Sequence, residues 1–223
     1  MLEGDDYWTY EYKLQKQVDF LEAHSDFVAV AHNTEVVDKN SNIRTDYDYP
    51  ECKTDEYTVY DYGKGILMGQ TATILYRNYF KSNLFKDIPV SVSYPGDRRK
   101  NFLLVTHGRV KCFQEKWSAY RYVNDEGTSY SANVKHDKTV LQRELVFYRD
   151  LKKYADHELC AIEPKKVIQN MYLMCGLRTC IYKRNPNYSW KDWVKEFGEA
   201  KYKGSFIKYF MMRLNMKVFG HSE

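Results

Sequence analysis

The stretch GILMGQTATILYRNYFKSNLFKDIPVSVSYP, residues 65–95, has the composition of β structure. β-Branched and aromatic residues, which favour strands, recur through it and are interrupted by glycine and proline. In its last part Ile88, Val90 and Val92 alternate with Pro89 and serines, which is the pattern of a half-buried strand. Proline cannot donate to a ladder, so it places this strand at an edge or at its own first residues. The stretch therefore predicts β structure in the middle of the chain.

The segments on both sides extend this pattern. EYTVYDY (residues 56–62) alternates, and FLLVTHGRVKCF (102–113) and WSAYRYV (117–123) are rich in strand-forming residues. Turn signals occur at 107–108 and 124–127. Several short strands separated by turns are typical of an antiparallel β-sandwich. We therefore expect an α+β protein that is mainly β, with a β-sandwich core.

Helical periodicity appears before this region. Over residues 5–24, apolar side chains recur at spacings of three and four, which predicts an amphipathic helix. Its stripe consists of Tyr7, Tyr10, Leu14, Val18 and Leu21. A polar loop separates it from the rest of the chain. We expect residues 1–25 to protrude as a helical arm, and residues 26–223 to form a single domain.

Helical patterns return in the C-terminal half. DKTVLQRELVFYRDLKKYA, EPKKVIQNMYLMCGLRTCIYKR and SWKDWVKEFGEA each predict a helix. Asp137 and Ser189 are candidate N-caps, and Pro164 fits a first helical turn. Residues 205–219 are apolar and cationic, and their pattern fits either a strand or a helix.

The composition is rich in aromatic residues and poor in metal-ligand patterns. The 223 residues include 21 tyrosines and carry a net charge of +4, which is too small for a dedicated nucleic-acid binder. Tyrosine suits interfaces that are packed yet hydrogen-bonded, although it also simply fills strands. The five cysteines have no zinc-like spacing, so we expect reduced thiols and no metal.

The sharpest local motif is SVSYPGDRRKN, residues 91–101. A turn carrying three cations is able to bind phosphate oxygens, and a tyrosine beside it is able to stack on a base. The candidate nucleotide-binding residues are Tyr94, Asp97, Arg98, Arg99 and Lys100. The alternative is a solvated basic turn.

Catalytic motifs are weak. His136 followed by Asp137 has the composition of a general base and its orienting carboxylate, but such a pair also caps helices. His107 is the other candidate, and the chain has no P-loop. We therefore expect no catalytic residues and a protein that is not an enzyme. The alternative is a nucleotide- or nucleic-acid-binding protein, one form of which is a metal-free phosphoesterase that uses His136 or His107 with the basic turn.

Residues 63–102 resemble the cypovirus polyhedrins. The resemblance covers about forty residues and rests on a Tyr-Lys-Gly-Ile start, a Tyr-Arg pair and a Tyr-Pro-Gly-Asp turn with basic residues. The matching positions are Tyr62, Lys64, Gly65, Ile66, Tyr76, Arg77, Tyr94, Pro95, Gly96, Asp97, Arg99 and Lys100. The spacing between the Tyr-Arg pair and the turn differs from the family pattern, and Arg98 replaces a small residue.

The resemblance implies a structural protein of viral occlusion bodies. Such proteins form trimers that crystallise in the cytoplasm of the infected cell, enclose virus particles and dissolve at alkaline pH. The family fold is a β-sandwich whose N-terminal helix ties trimers together. Its crystals hold nucleoside triphosphates (ATP, GTP or CTP) as structural ligands without turnover. The implied partners are the protein itself, virions and nucleotides, with no membrane.

The segment DYDYPECKTDEYTVYDYG, residues 46–63, offers a physical route to alkaline dissolution. A phenol that is buried beside a carboxylate resists ionisation, so its pKa rises above about 10. The assembled state then loses stability once the pH passes the free value. The candidate pH-responsive residues are Tyr47, Tyr49, Tyr57, Tyr60 and Tyr62.

Overall fold

The computed structural model describes residues 6–79, 88–89, 91, 96–122 and 139–218. The chain divides into two compact units. Unit 1 comprises residues 1–87 and 95–136, and unit 2 comprises residues 88–94 and 137–223.

Unit 1 is built on a sheet whose strand order is β1–β4–β2–β3. The strands are β1 (Tyr7–Trp8), β2 (Phe27–Val37), β3 (Leu75–Tyr76) and β4 (Arg109–Arg121). The two long central strands, β2 and β4, run parallel, whereas β1 and β3 pair antiparallel at the two sides. Since β2 and β4 are parallel and still pair at Val37 and Arg121, despite shifts of register along the strands, their carboxyl ends meet at one end of the sheet.

Strand β2 has the sequence of a strand that is covered on both faces. Nearly all of FVAVAHNTEVV is buried, as expected for a central parallel strand. In its described part the same unit contains the helices α1 (Lys13–Ala23), α2 (Val59–Lys64) and α3 (Gly96–His107). A short 3-10 helix, Thr71–Thr73, precedes β3. Burial of Phe102 and Leu104 anchors α3 in the core.

The prediction of a mainly β antiparallel sandwich with a protruding N-terminal helix is wrong. Helices outweigh strands among the described residues, and the sheet of this part of the chain is one curled half-barrel. EYTVYDY leads into helix α2, and FLLVTH lies in helix α3. Short apolar runs fit a buried helix as well as a strand, so periodicity could not separate the two. Most of the strand predicted at 88–95 lies outside the described residues.

Local sequence signals mark both ends of α2. Thr58 and Asp61 form a capping box, in which the Asp61 carboxylate accepts from the Thr58 backbone N–H at 2.9 Å. Gly65 ends the helix with φ 87°, a left-handed conformation that favours glycine. The glycine that resembled strand punctuation is therefore a helix C-cap.

The N-terminal segment is also corrected. Residues 7–8 form β1 beside β4, and helix α1 begins only at Lys13. Helix α1 packs on β2, because Leu21 joins the core with Phe27 and Val30. The rest of the predicted apolar stripe is largely exposed, whereas polar Gln17 is buried and donates from Nε2 to Thr73 O at 2.8 Å. The spacing of apolar residues cannot predict that a polar residue such as Gln17 is buried, because its burial depends on a hydrogen bond to a distant residue.

Unit 2 contains four helices in its described part. They are α4 (Val140–Glu158), α5 (Ile162–Tyr182), α6 (Trp190–Glu199) and α7 (Lys203–Val218). The three C-terminal helices predicted from periodicity are confirmed, as is the Ser189 N-cap. The ambiguous end of the chain is helical through Val218, and Asp137 lies outside the described residues. None of the described helices is long and apolar enough to cross a membrane.

Candidate functional site

A fixed loop closes the carboxyl end of β2. The Asp38 side-chain Oδ1 accepts hydrogen bonds from the backbone N–H groups of Asn40 and Asn42, at 2.8 and 2.9 Å. From the end of β4, Arg121 Nη1 donates to the carbonyl oxygens of Asp38 and Lys39, at 2.8 and 2.9 Å. These bonds tie the chain that leaves β2 to the end of β4.

A group of tyrosine rings lies at the same end of the sheet. We call it the tyrosine cluster; it consists of Tyr47, Tyr49, Tyr120 and Tyr122. Tyr47 stacks on Tyr122 with ring centroids 4.3 Å apart, and Tyr49 meets Tyr120 edge to face at 5.3 Å. The rings of Tyr120 and Tyr122 are 6.0 Å apart. All four residues are only partly buried, so they form an aromatic wall that solvent still reaches.

Glu51 is a buried carboxylate beside this wall. Its two carboxylate oxygens accept from the backbone N–H of Thr34 on β2, at 3.0 and 3.2 Å. Burial raises the pKa of Glu51 to about 7, although the Thr34 hydrogen bonds and Lys53 oppose the shift. Glu51 therefore titrates near neutral pH and is held by β2 itself.

Asp97 is a second carboxylate, whose charge reaches this site, and it differs from Glu51 in its contacts. It is half-buried in the first turn of α3, and no described residue donates a hydrogen bond to its carboxylate. Burial, Tyr120, Asp97 and Glu51 all raise the pKa of Tyr49, so the Asp97 charge acts on the tyrosine cluster. The site thus combines an aromatic wall, one engaged carboxylate and one available carboxylate.

This arrangement suits a ligand with apolar ring faces and many hydroxyls. Aromatic rings cover the flat apolar face of such a ligand, and carboxylates accept hydrogen bonds from its hydroxyls. Ligands of α/β sheets commonly bind outside the carboxyl ends of parallel strands. A carboxylate without a protein donor is also able to take a proton from a bound hydroxyl.

Asp6 is a further carboxylate, which lies beside the end of β4. Its Oδ2 accepts from Gln70 Nε2 at 2.7 Å, and its Oδ1 accepts from the backbone N–H of Arg121 at 3.0 Å. Asp6 is buried and joins β1, β4 and the loop before β3. Its hydrogen-bonding role could be found only once these strands were placed together.

The predicted nucleotide-binding residues do not share one basic turn. Asp97, Arg98, Arg99 and Lys100 open helix α3, whereas Tyr94 lies outside the described residues. The Arg98 guanidinium lies 5.4 Å from the centroid of the Tyr62 ring, and Lys100 Nζ lies 5.2 Å from that of Tyr76. The two cations are thus directed at different rings. Nucleotide binding by these residues stays a prediction, and the turn itself is corrected to a helix start.

The five predicted pH-responsive tyrosines fall in different surroundings. Tyr47 and Tyr49 belong to the tyrosine cluster, and burial is the main cause that raises the pKa of each. Tyr57 is buried, donates to Ile66 O at 2.9 Å, and also has a raised pKa. Tyr62 is buried near Phe102, and Tyr60 is exposed.

The histidine candidates contribute little to this site. His136 lies outside the described residues. His107 ends α3, and its Nδ1 lies 2.8 Å from Leu103 O, so that nitrogen serves the end of the helix. In the described part of the chain, no group of three or more His, Cys, Asp or Glu side chains is placed to hold a metal ion.

Comparison with known proteins adds no family to this picture. No protein-family model matches the chain, and the search of curated proteins returns no significant match. The functional argument therefore rests on the residues and their geometry.

Replacement of Glu51 by Gln should stabilise the protein above neutral pH. The folded-state pKa of Glu51 lies above its ordinary value of 4.5, so wild-type stability falls as the pH rises from about 4.5 through 7. The amide keeps one acceptor for Thr34 and never ionises. We expect a gain of about 2 kcal/mol at pH 8 and almost none at pH 4, from urea unfolding. The exposed control Glu22→Gln should show no such pH dependence; an equal gain at both pH values would contradict the assignment.

Proposed function

We propose that unit 1 is a group-transfer enzyme domain acting on a hydroxyl of a sugar-like substrate. The substrate binds against the tyrosine cluster, and Asp97 is the general base. The observation that supports this best is the half-buried Asp97 carboxylate, which no described residue engages by a hydrogen bond and whose charge acts on Tyr49. This function departs from the non-enzymatic expectation, which rested on the absence of a recognisable catalytic motif in the sequence.

The proposed step balances as a simple displacement. Asp97 takes the proton of the substrate hydroxyl, and the oxygen forms a bond to the reacting carbon of an activated sugar donor. The bond from that carbon to its phosphate leaving group breaks, and the leaving group keeps the electron pair. A nucleotide sugar is the donor class with this chemistry. Glu51 is less suited to be the base, because both of its oxygens already accept from Thr34.

The test is a donor and acceptor screen on the whole chain. The chain is incubated with nucleotide sugars and with mono- and oligosaccharides, and the release of nucleoside diphosphate and the saccharide products are measured. A parallel incubation with ATP in place of the nucleotide sugar tests whether the chain transfers a phosphoryl group rather than a sugar. Saccharide binding is measured independently by NMR line broadening. We expect saccharides to bind and a nucleotide sugar to turn over; saccharides that neither bind nor react would refute the proposal.

A second candidate is the crystal-matrix function that the polyhedrin resemblance implies. The observation that favours it is the raised pKa of Tyr47, Tyr49 and Tyr57. For phenols with a raised folded-state pKa, stability is full below about pH 10 and is lost as the pH rises through the folded value. The β-sandwich and arm that belong to this function are absent from the described residues, so it ranks second.

The second candidate is tested by measuring the pH at which crystals of the protein dissolve. The chain is expressed in insect cells, and any cytoplasmic crystals are titrated from neutral to alkaline pH. We expect crystals, if this function is right, to dissolve near or above about pH 10, and Tyr47→Phe/Tyr49→Phe to move dissolution to higher pH. Tyr60→Phe, at an exposed position, is the matched control. A dispersed protein, or a dissolution pH that the double variant leaves unchanged, would remove this candidate.

A further inference from the structure

The last two helices of unit 2 expose apolar side chains in a regular pattern. On α7, Ile207, Met211 and Leu214 are 55%, 53% and 40% exposed, and their spacing of four and three residues places them on one face. On α6, Trp190 and Val194 are 51% and 60% exposed at a spacing of four. We call these five residues the apolar patch.

The opposite faces of the same helices are already packed. Trp193 of α6 donates from Nε1 to Leu173 O on α5 at 2.9 Å, and its ring contacts Phe206 of α7 with centroids 6.3 Å apart. Asn170 of α5 donates from Nδ2 to Ser205 Oγ at 2.9 Å. The outward orientation of the apolar patch is therefore fixed by the packing of α6 and α7 within unit 2.

The charge around the apolar patch has one sign on α7. The 16 residues of this helix, KGSFIKYFMMRLNMKV, contain lysine and arginine but no aspartate or glutamate. Lys203 and Lys208 are exposed and flank the Ile207–Met211–Leu214 line on its two sides. Residues 189–218 as a whole contain seven Lys or Arg against three Asp or Glu. A second copy of this face would bring cation against cation, so charge opposes pairing of the patch with itself.

We propose that the apolar patch and its flanking lysines bind the surface of an anionic lipid bilayer. A cationic amphipathic helix lies in the plane of the interface with its apolar side chains among the acyl chains, while lysines extend to the headgroups. Trp190 is a residue type that favours this interface. The binding is peripheral, which agrees with the lack of a membrane-crossing helix among those described. It would hold unit 2 at a membrane independently of the site in unit 1.

The proposal is tested by flotation of the full chain with vesicles. Vesicles of phosphatidylcholine with phosphatidylserine are compared with vesicles of phosphatidylcholine alone. We expect binding to the first, at least about tenfold weaker binding to the second, and loss of binding at high salt. Met211→Glu and the double change Lys203→Glu/Lys208→Glu should each weaken binding by about tenfold or more.

Matched controls lie elsewhere in unit 2. Ile162 is as exposed as Ile207, at 55%, and Ile162→Glu adds the same charge outside the patch. Lys153→Glu is the charge control on α4. Both controls should bind like the wild type, and circular dichroism should show that all variants keep their helices. Failure to bind anionic vesicles, equal loss in the controls, or a dimer that Met211→Glu dissociates would overturn the proposal.

Discussion

Replacement of Asp97 by Asn should abolish group transfer while leaving saccharide binding nearly intact. The amide has almost the shape of the carboxylate but cannot accept a proton from the substrate hydroxyl. General-base catalysis typically contributes about 10²–10⁴-fold, so we expect kcat to fall by that factor with KM little changed. The measurement is the initial rate of nucleoside diphosphate release with the donor and acceptor found by the screen.

Two further variants make this result specific. Asp19→Asn removes an exposed carboxylate of α1 in the same unit and should keep the full rate. Tyr49→Ala/Tyr120→Ala removes part of the aromatic wall and should raise KM or abolish saccharide binding. A kcat for Asp97→Asn within about threefold of wild type would show that another group is the base, even if the sugar site itself is correct.

Replacement of Phe102 by Ala should have the largest effect on stability. Phe102 is fully buried on α3 and lies 5.3 Å from the Tyr62 ring, centroid to centroid. Removal of a buried phenyl ring loses its transfer free energy and leaves a cavity, and typically costs about 3–5 kcal/mol. Phe102 and Asp97 lie on the same helix, so the lost packing also weakens the positioning of Asp97. We expect a lower urea midpoint, and reduced activity at temperatures where the wild type is still active.

The size of the side chain, and not the position alone, should set this cost. Phe102→Leu keeps most of the apolar volume and should cost about 1.5 kcal/mol or less. Leu14→Ala, at an exposed position on α1, should be close to neutral. A Phe102→Ala variant that unfolds at the wild-type urea concentration would mean that α3 is not part of the cooperative core.

The expectation of an occlusion-body protein rested on a short motif, which is too local to establish the fold of the whole chain. Its motif covers about forty residues, and in the described part of that segment lie the end of α2, the short strand β3 and the first half of α3, which do not form a β-sandwich. The same motif includes Asp97, which now has a different proposed role. The role of Asp97 stays a proposal, whereas the fold that the resemblance implies is not the fold of the described residues.

The sequence by itself determined the helices of unit 2. The periodic stripes of α4 and α6, the Ser189 cap and the position of Pro164 in the first turn of α5 are local signals that need no partner to be recognised. It also determined the high tyrosine content from which the cluster is drawn. Unit 1 also has local helix signals, such as the Thr58–Asp61 capping box. The strand propensity of the neighbouring residues nevertheless predicts strands where the structure has helix α2.

Only the tertiary structure decided the arrangement of unit 1 and its site. The parallel pairing of β2 with β4 joins residues more than eighty positions apart, such as Val37 and Arg121, and no local pattern encodes such a pairing. That pairing brings Tyr47 and Tyr49 to Tyr120 and Tyr122, and the packing of α3 adds Asp97. Burial likewise depends on packing, so the raised pKa of Glu51 follows from tertiary contacts that sequence spacing does not specify.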